Sequence, residues 1–77
     1  MDKKTIQKMS DVRLAALEGW LDDKFSHYAT DEEKESLTWL YREVNDICLS
    51  RGLDSEYYYN RHFEEYQEAY DEYAKMI

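Results

Sequence analysis

Residues 55–77 read SEYYYNRHFEEYQEAYDEYAKMI, and this stretch indicates how the chain packs. Its large apolar residues recur at spacings of three and four, which is the period of one helix face. The pattern predicts a helix over residues 55–76 with an aromatic inward stripe. A buried tyrosine hydroxyl needs water or a partner, so the stripe is either the wet rim of a small core or an interaction surface. The stripe consists of Tyr59, Phe63, Tyr66, Tyr70, Tyr73 and Ile77.

A second helix is predicted over residues 31–51. It begins with a capping box, in which the Thr30 hydroxyl accepts from the amide of Glu33 and the Glu33 carboxylate accepts from the amide of Thr30. Gly52 follows the last turn and suits the left-handed conformation that ends many helices. The apolar stripe of this helix consists of Leu37, Leu40, Tyr41, Val44, Ile47 and Cys48.

The remaining helix is predicted over residues 10–28, with Ser10 or Asp11 as its N-cap. Its interior contains Gly19, which costs about 1 kcal/mol relative to alanine and either permits close helix packing or is simply tolerated. Trp20 falls at the margin of the apolar stripe, and we expect it to help cover the core. The stripe consists of Leu14, Leu17, Leu21, Phe25 and Tyr28.

Three amphipathic helices joined by short links predict the fold class. The links fall near residues 29–30 and 52–54, and the chain contains no proline that would interrupt a helix. We therefore expect an all-α protein, a compact antiparallel three-helix bundle in which residues 1–77 form a single domain. The spacing of the third helix also allows the alternative of a homodimer that pairs two tyrosine stripes.

The charge of the chain is acidic and uneven. Eighteen acidic residues oppose ten basic ones, for a net charge of −8, and seven of the acids fall in residues 54–77. Nucleic acids and anionic membranes require a basic footprint, so we expect neither as a direct partner. One cysteine, and no apolar run long enough to span a membrane, indicate a reduced, cytoplasmic protein.

Few residues of the chain suggest catalysis or metal binding. Cys48 falls on an apolar stripe, where a small buried hydrophobe is the usual role of cysteine. His27 and His62 are the only histidines, and neither belongs to the Glu-x-x-His pattern of di-iron bundles. We therefore expect no catalytic residue, no metal, no cofactor and no enzymatic activity.

Two aromatic residues fall opposite the stripes of their helices. At about 100° per residue, Trp39 lies on the far side of its helix from Leu37, and Tyr57 lies opposite the tyrosine stripe. Each ring is either an isolated exposed residue, as is common on protein surfaces, or an anchor for a partner protein. The residues predicted to bind a partner are Trp39 with Glu35, Glu43 and Asp46, and Tyr57 with Glu64, Glu68, Asp71 and Glu72.

These features favour a small acidic inhibitor or adaptor that binds a basic surface of another protein. A sharper hypothesis is that it blocks a nucleic-acid-handling enzyme as a partial DNA mimic, as some small proteins of bacteriophages and mobile elements do. Ten bases dilute the acids, however, so we rank general protein binding first. The alternative is a structural small subunit or homo-oligomer that uses the tyrosine-rich third helix as its interface.

Overall fold

The computed structural model describes residues 2–76, which form an all-helical fold with a Cα radius of gyration of 11.7 Å. A π-helical turn, Lys24–Tyr28, extends the second helix. The predicted all-α class and compactness are confirmed, whereas the predicted count of three helices is not, because the described chain contains five. They are α1 (Lys3–Lys8), α2 (Asp11–Asp23), α3 (Asp31–Arg51), α4 (Ser55–Arg61) and α5 (Phe63–Met76).

Helix α2 occupies the centre of the fold and packs against α3, α4 and α5. It is buried over most of its circumference because these neighbours cover it from several sides. Trp20 is only 6% exposed, so the prediction that it covers the core is confirmed. The buried residues of α2 are Leu14, Ala15, Ala16, Leu17, Trp20 and Leu21.

Helix α3 follows the sequence pattern closely. Both hydrogen bonds of the capping box between Thr30 and Glu33 are present, each at 3.2 Å. Gly52 ends the helix in the left-handed conformation, with φ of 69°. The predicted stripe faces the core through Leu40 and Val44, which are buried. The start, the end and the rotation of this helix were therefore all predictable from local sequence.

Helix α1 is an element that the sequence pattern did not predict. Its one buried side chain, Ile6, is fully inaccessible to solvent. The Arg51 guanidinium, at the end of α3, donates hydrogen bonds to the carbonyl oxygens of Gln7 at 2.8 Å and Met9 at 2.9 Å. These bonds satisfy carbonyl groups at the end of α1 that a short helix leaves without partners.

The helix predicted over residues 55–76 is broken at His62, which has φ of −131° and ψ of 45°. The break changes which face of the chain meets the core. On the N-terminal side Tyr58 packs against the core, while Tyr59 and Phe63 are each 48% exposed. The prediction that Tyr59 and Phe63 belong to the inward stripe is therefore wrong.

The rest of the aromatic stripe does enter the core. Tyr66 and Tyr73 are buried and Tyr70 is half-buried, whereas Ile77 lies outside the described residues. A side chain at Gly19 would overlap the Tyr66 hydroxyl and approach the ring carbon Cζ at 3.2 Å. Gly19 therefore permits the close packing of α5 on α2, which was one of the two roles predicted for it.

Substitution of Gly19 by alanine should destabilise the protein by about 1–3 kcal/mol, the usual cost of overpacking a core. This occurs even though alanine favours a helix by about 1 kcal/mol relative to glycine. The measurement is the free energy of unfolding from urea titration followed by circular dichroism.

The double variant Gly19→Ala with Tyr66→Phe provides the control. Because phenylalanine lacks the overlapping hydroxyl, it should recover part of the loss caused by Gly19→Ala. Strictly additive effects of the two changes would show that the hydroxyl and position 19 do not interact.

Candidate protein-binding surface

Trp39 lies on the outer face of α3, and 46% of its surface is exposed. Its position follows from the packing of Leu40 and Val44, whose burial fixes the rotation of the helix. Arg42, on the same helix, lines a hollow together with Phe25 and Tyr41. Within the described part of the chain, the guanidinium recorded over an aromatic ring is that of Arg13 and not that of Arg42. The indole thus presents exposed apolar surface on a charged face.

The three acids predicted to accompany Trp39 differ in their surroundings. Glu35 and Asp46 are exposed, and among residues 2–76 neither forms a salt bridge with a lysine or arginine. Glu43 is half-buried and pairs with Lys3 of α1 at 3.5 Å. Glu35 and Asp46 therefore remain available to a basic partner, whereas Glu43 is partly neutralised within the protein.

The second predicted set lies on α4 and α5. Tyr57 is 51% exposed, and Glu64 and Glu68 are exposed as predicted. Two other acids of the set already have partners within the protein. Asp71 accepts a hydrogen bond from Gln67 at 2.9 Å, and Glu72 accepts one from Arg13.

The two sets are not brought together into one patch. Helices α3 and α5 both pack on α2, and within residues 2–76 the contact between them is at most marginal. Trp39 and the acids of α5 consequently lie on separate faces of the protein.

A further aromatic surface lies at the junction of α4 and α5, where two residues of the predicted inward stripe face solvent instead. The ring of Tyr59 contacts the rings of Phe63 and Tyr66 edge-on, with centroids 5.2 Å and 5.5 Å apart. Tyr66 is buried and anchors the group, while Tyr59 and Phe63 face solvent. The sequence signal for the break between α4 and α5 was the run Asn60–His62. Two of its three residues are weak helix formers, and it interrupts an otherwise regular stripe.

Carboxylates in the C-terminal half of α2 lie near Tyr66, the buried ring that contacts Tyr59. Each accepts a hydrogen bond from a hydroxyl group of a different helix, and among residues 2–76 none forms a salt bridge with a lysine or arginine. Their negative charge is therefore not compensated by these contacts. The pairs are Ser55 with Glu18 at 2.8 Å, Tyr41 with Asp22, and Tyr70 with Asp23 at 2.6 Å.

The same carboxylates raise the pKa values of nearby tyrosines. Burial, together with Asp23, Asp22 and Glu18, raises the pKa of Tyr66 to about 12. The hydrogen bond to Asp22 raises the pKa of Tyr41, again to about 12. Phenolate formation is opposed because it would place a second negative charge beside an existing one.

Cys48 and His62, which were considered for catalysis or metal binding, are packed against other side chains of the protein. Cys48 is 1% exposed, and burial raises the pKa of its thiol to about 12, so it is not a thiolate at neutral pH. The ring of His62 packs against the rings of Tyr57 and Tyr58, with centroids 6.2 Å and 5.6 Å away. Within residues 2–76, no group of three or more His, Cys, Asp or Glu side chains is placed to hold a metal ion.

Comparisons with known proteins add no relative. A scan against protein-family models and searches of curated proteins and of solved structures found no match to this chain. Among residues 2–76, no helix combines the length and the apolar content needed to cross a membrane.

The raised pKa values predict a loss of stability in alkaline solution. Between about pH 10 and 12 the unfolded chain releases phenolic protons that the folded protein retains, so the free energy of unfolding should fall as pH rises. The measurement is the urea midpoint at pH 9 and pH 11. Tyr66→Phe should show a smaller decline, whereas Tyr28→Phe, at a position 73% exposed, should behave like the wild type. An unchanged midpoint in the wild type would contradict the expectation.

Proposed function

We propose that this protein is a small acidic inhibitor or adaptor that binds a basic surface of another protein. The observation that carries the proposal is the indole of Trp39, which is 46% exposed on a face where Glu35 and Asp46 are also exposed. Tryptophan surrounded by polar groups is a common anatomy of binding hot spots. The carboxylates would steer a positively charged partner toward the indole.

The sharper version of the proposal concerns the kind of partner. We propose a nucleic-acid-handling protein of a host cell, whose basic groove the inhibitor blocks as a partial DNA mimic in the cytoplasm. A net charge of −8 on 77 residues supports this choice. The pairing of Glu43 with Lys3 and of Glu72 with Arg13 weakens the acidic faces, which favours partial over full mimicry. An origin in a bacteriophage or mobile element agrees with the small size and acidic charge, and it stays a proposal.

The proposal includes the absence of catalysis and a simple architecture. We propose that the protein acts by occupying a surface, with no cofactor and no turnover. We also keep the antiparallel three-helix arrangement as a proposal for α2, α3 and the α4–α5 pair, with α1 as an addition to it.

A structural role is the alternative function. The exposure of Tyr59 and Phe63, both 48%, favours it because paired aromatic faces are a usual way for two small subunits to associate. In this alternative the tyrosine-rich helices are the interface of a homo-oligomer or of a larger complex.

Substitution of Trp39 by alanine should weaken partner binding by about 2 kcal/mol, or roughly 30-fold in Kd, if the indole is a hot spot. The partner is first isolated with tagged wild-type protein from the native host, and its affinity for both proteins is then measured by calorimetry. Helicity should be nearly unchanged, because the indole is exposed and contributes little to the core.

Leu49→Ala is the matched control, because Leu49 lies on the same helix and is 79% exposed. It should bind the partner as the wild type does. Binding by the wild type should also weaken as salt rises, because ions screen surface charge. Equal affinity of the Trp39→Ala and wild-type proteins would contradict the proposed role of the indole.

The alternative function is tested by thermal unfolding at several protein concentrations. A protein that acts as a monomer should melt at the same temperature across a hundred-fold range of concentration, whereas a homo-oligomer melts at higher temperature when concentrated. We expect no dependence on concentration.

A further inference from the structure

We propose that the exposed rings of Tyr59 and Phe63 form a second contact site, which binds an arginine-bearing segment of a partner protein. The inference rests on the proposed function in one respect, that the partner is basic. Neither of its rings belongs to the residues assigned to the Trp39 surface, so the two sites can be tested separately with different variants.

The first support is that the rings are exposed to solvent and yet held in fixed positions. Phe63 has no polar group to satisfy, yet 48% of its surface faces solvent. Its neighbour Tyr59 stands nearly perpendicular to it, at 85°, and at 87° to the buried ring of Tyr66. Because Tyr66 is anchored in the core, the two exposed rings are held in place before any partner arrives. A partner would lose little entropy in ordering them.

The second support is the charge around the rings. Asp22 and Asp23 act electrostatically on the hydroxyl of Tyr66, whose ring contacts Tyr59. Both carboxylates accept hydrogen bonds from tyrosine hydroxyls rather than from cations. Glu64 and Glu65, both exposed, line a hollow together with Phe63. The aromatic surface is thus bordered by negative charge that a cationic partner would neutralise.

The histidine at the junction lies beside the site, where it lines a hollow together with Phe63 and Arg61. His62 packs against Tyr57 and Tyr58, and its ring therefore lies toward them rather than against Tyr59. Arg61 is exposed and is the cation closest in sequence to the site. A single arginine leaves the surroundings acidic overall.

Arginine fits this combination better than lysine does. A guanidinium is planar and weakly hydrated, so it can stack on an aromatic face while its N–H groups bond a carboxylate. A lysine ammonium is compact and strongly hydrated, and it gains less from the same rings. The combination of rigid rings with neighbouring carboxylates therefore selects for arginine.

A second copy of this chain is a poorer occupant of the site. A two-fold dimer would place the same patch on both sides of the interface, so the acidic border would face itself. Two subunits that each carry a net charge of −8 would also repel one another. Charge complementarity therefore points to a basic partner.

Two synthetic peptides of equal length and charge test the site, one of alternating glycine and arginine and one of alternating glycine and lysine. Each carries a fluorophore, and binding to the full-length protein is followed by anisotropy at low salt. The wild type should bind the arginine peptide about five-fold more tightly, as expected for a cation–π contact at an exposed position. Equal binding of the two peptides would overturn the proposal.

Phe63→Leu is the decisive variant, because leucine keeps an apolar side chain and favours the helix but removes the aromatic face. It should reduce the preference for the arginine peptide to about two-fold, because the ring of Tyr59 remains. Tyr28→Ala, at an exposed aromatic position outside the site, should keep the five-fold preference. Retention of the full preference in Phe63→Leu would overturn the site.

Sedimentation equilibrium of the wild type and Phe63→Leu tests whether the rings bind a second copy of the chain instead of a basic partner. We expect both proteins to be monomers, and a wild-type dimer that Phe63→Leu dissociates would show that the rings bind a second copy instead. Failure of the peptide test together with loss of partner binding in Trp39→Ala would leave the proposed function intact and remove only this second site.

Discussion

The approach of α5 to α2 at Gly19 is the contact on which the other features of the structure depend. Because position 19 lacks a side chain, the ring of Tyr66 can lie against the backbone of α2. That placement also brings the hydroxyl of Tyr70 within 2.6 Å of Asp23. It sets the rotation of α5, while Phe63, at the first position of the helix, remains 48% exposed. The present position of the Tyr66 ring therefore depends on a residue of α2 that has no side chain.

Much of the fold was predictable because its signals are local. The capping box of Thr30 and Glu33 and the left-handed Gly52 depend on residues a few positions apart, and each has one structural meaning. The exposure of Trp39 followed from the same helix, since the burial of Leu40 leaves the opposite face outward. Where interactions between residues close in sequence determine a helix boundary or an exposed face, the sequence was sufficient to predict it.

The features that the sequence did not predict depend on contacts between distant parts of the chain. Helix α1 contains too few apolar residues to show a periodic pattern, and its end is held by Arg51, more than forty residues away. The break at His62 was concealed because the aromatic spacing continues regularly across it. At the α4–α5 junction the core selects Tyr58 rather than Tyr59, which follows from how α4 packs on α2. The neutralisation of Glu72 by Arg13 is likewise visible only in three dimensions.

The burial of Cys48 has a practical consequence for studying the surface. As the only cysteine of the chain, and 1% exposed, it is shielded from thiol-directed reagents while the protein is folded. A cysteine introduced at a solvent-facing position could therefore carry a spectroscopic label without removal of the natural one. Reaction of Cys48 itself would then require the core to open. The same protein could therefore provide a surface label and a measurement of the rate at which the core opens.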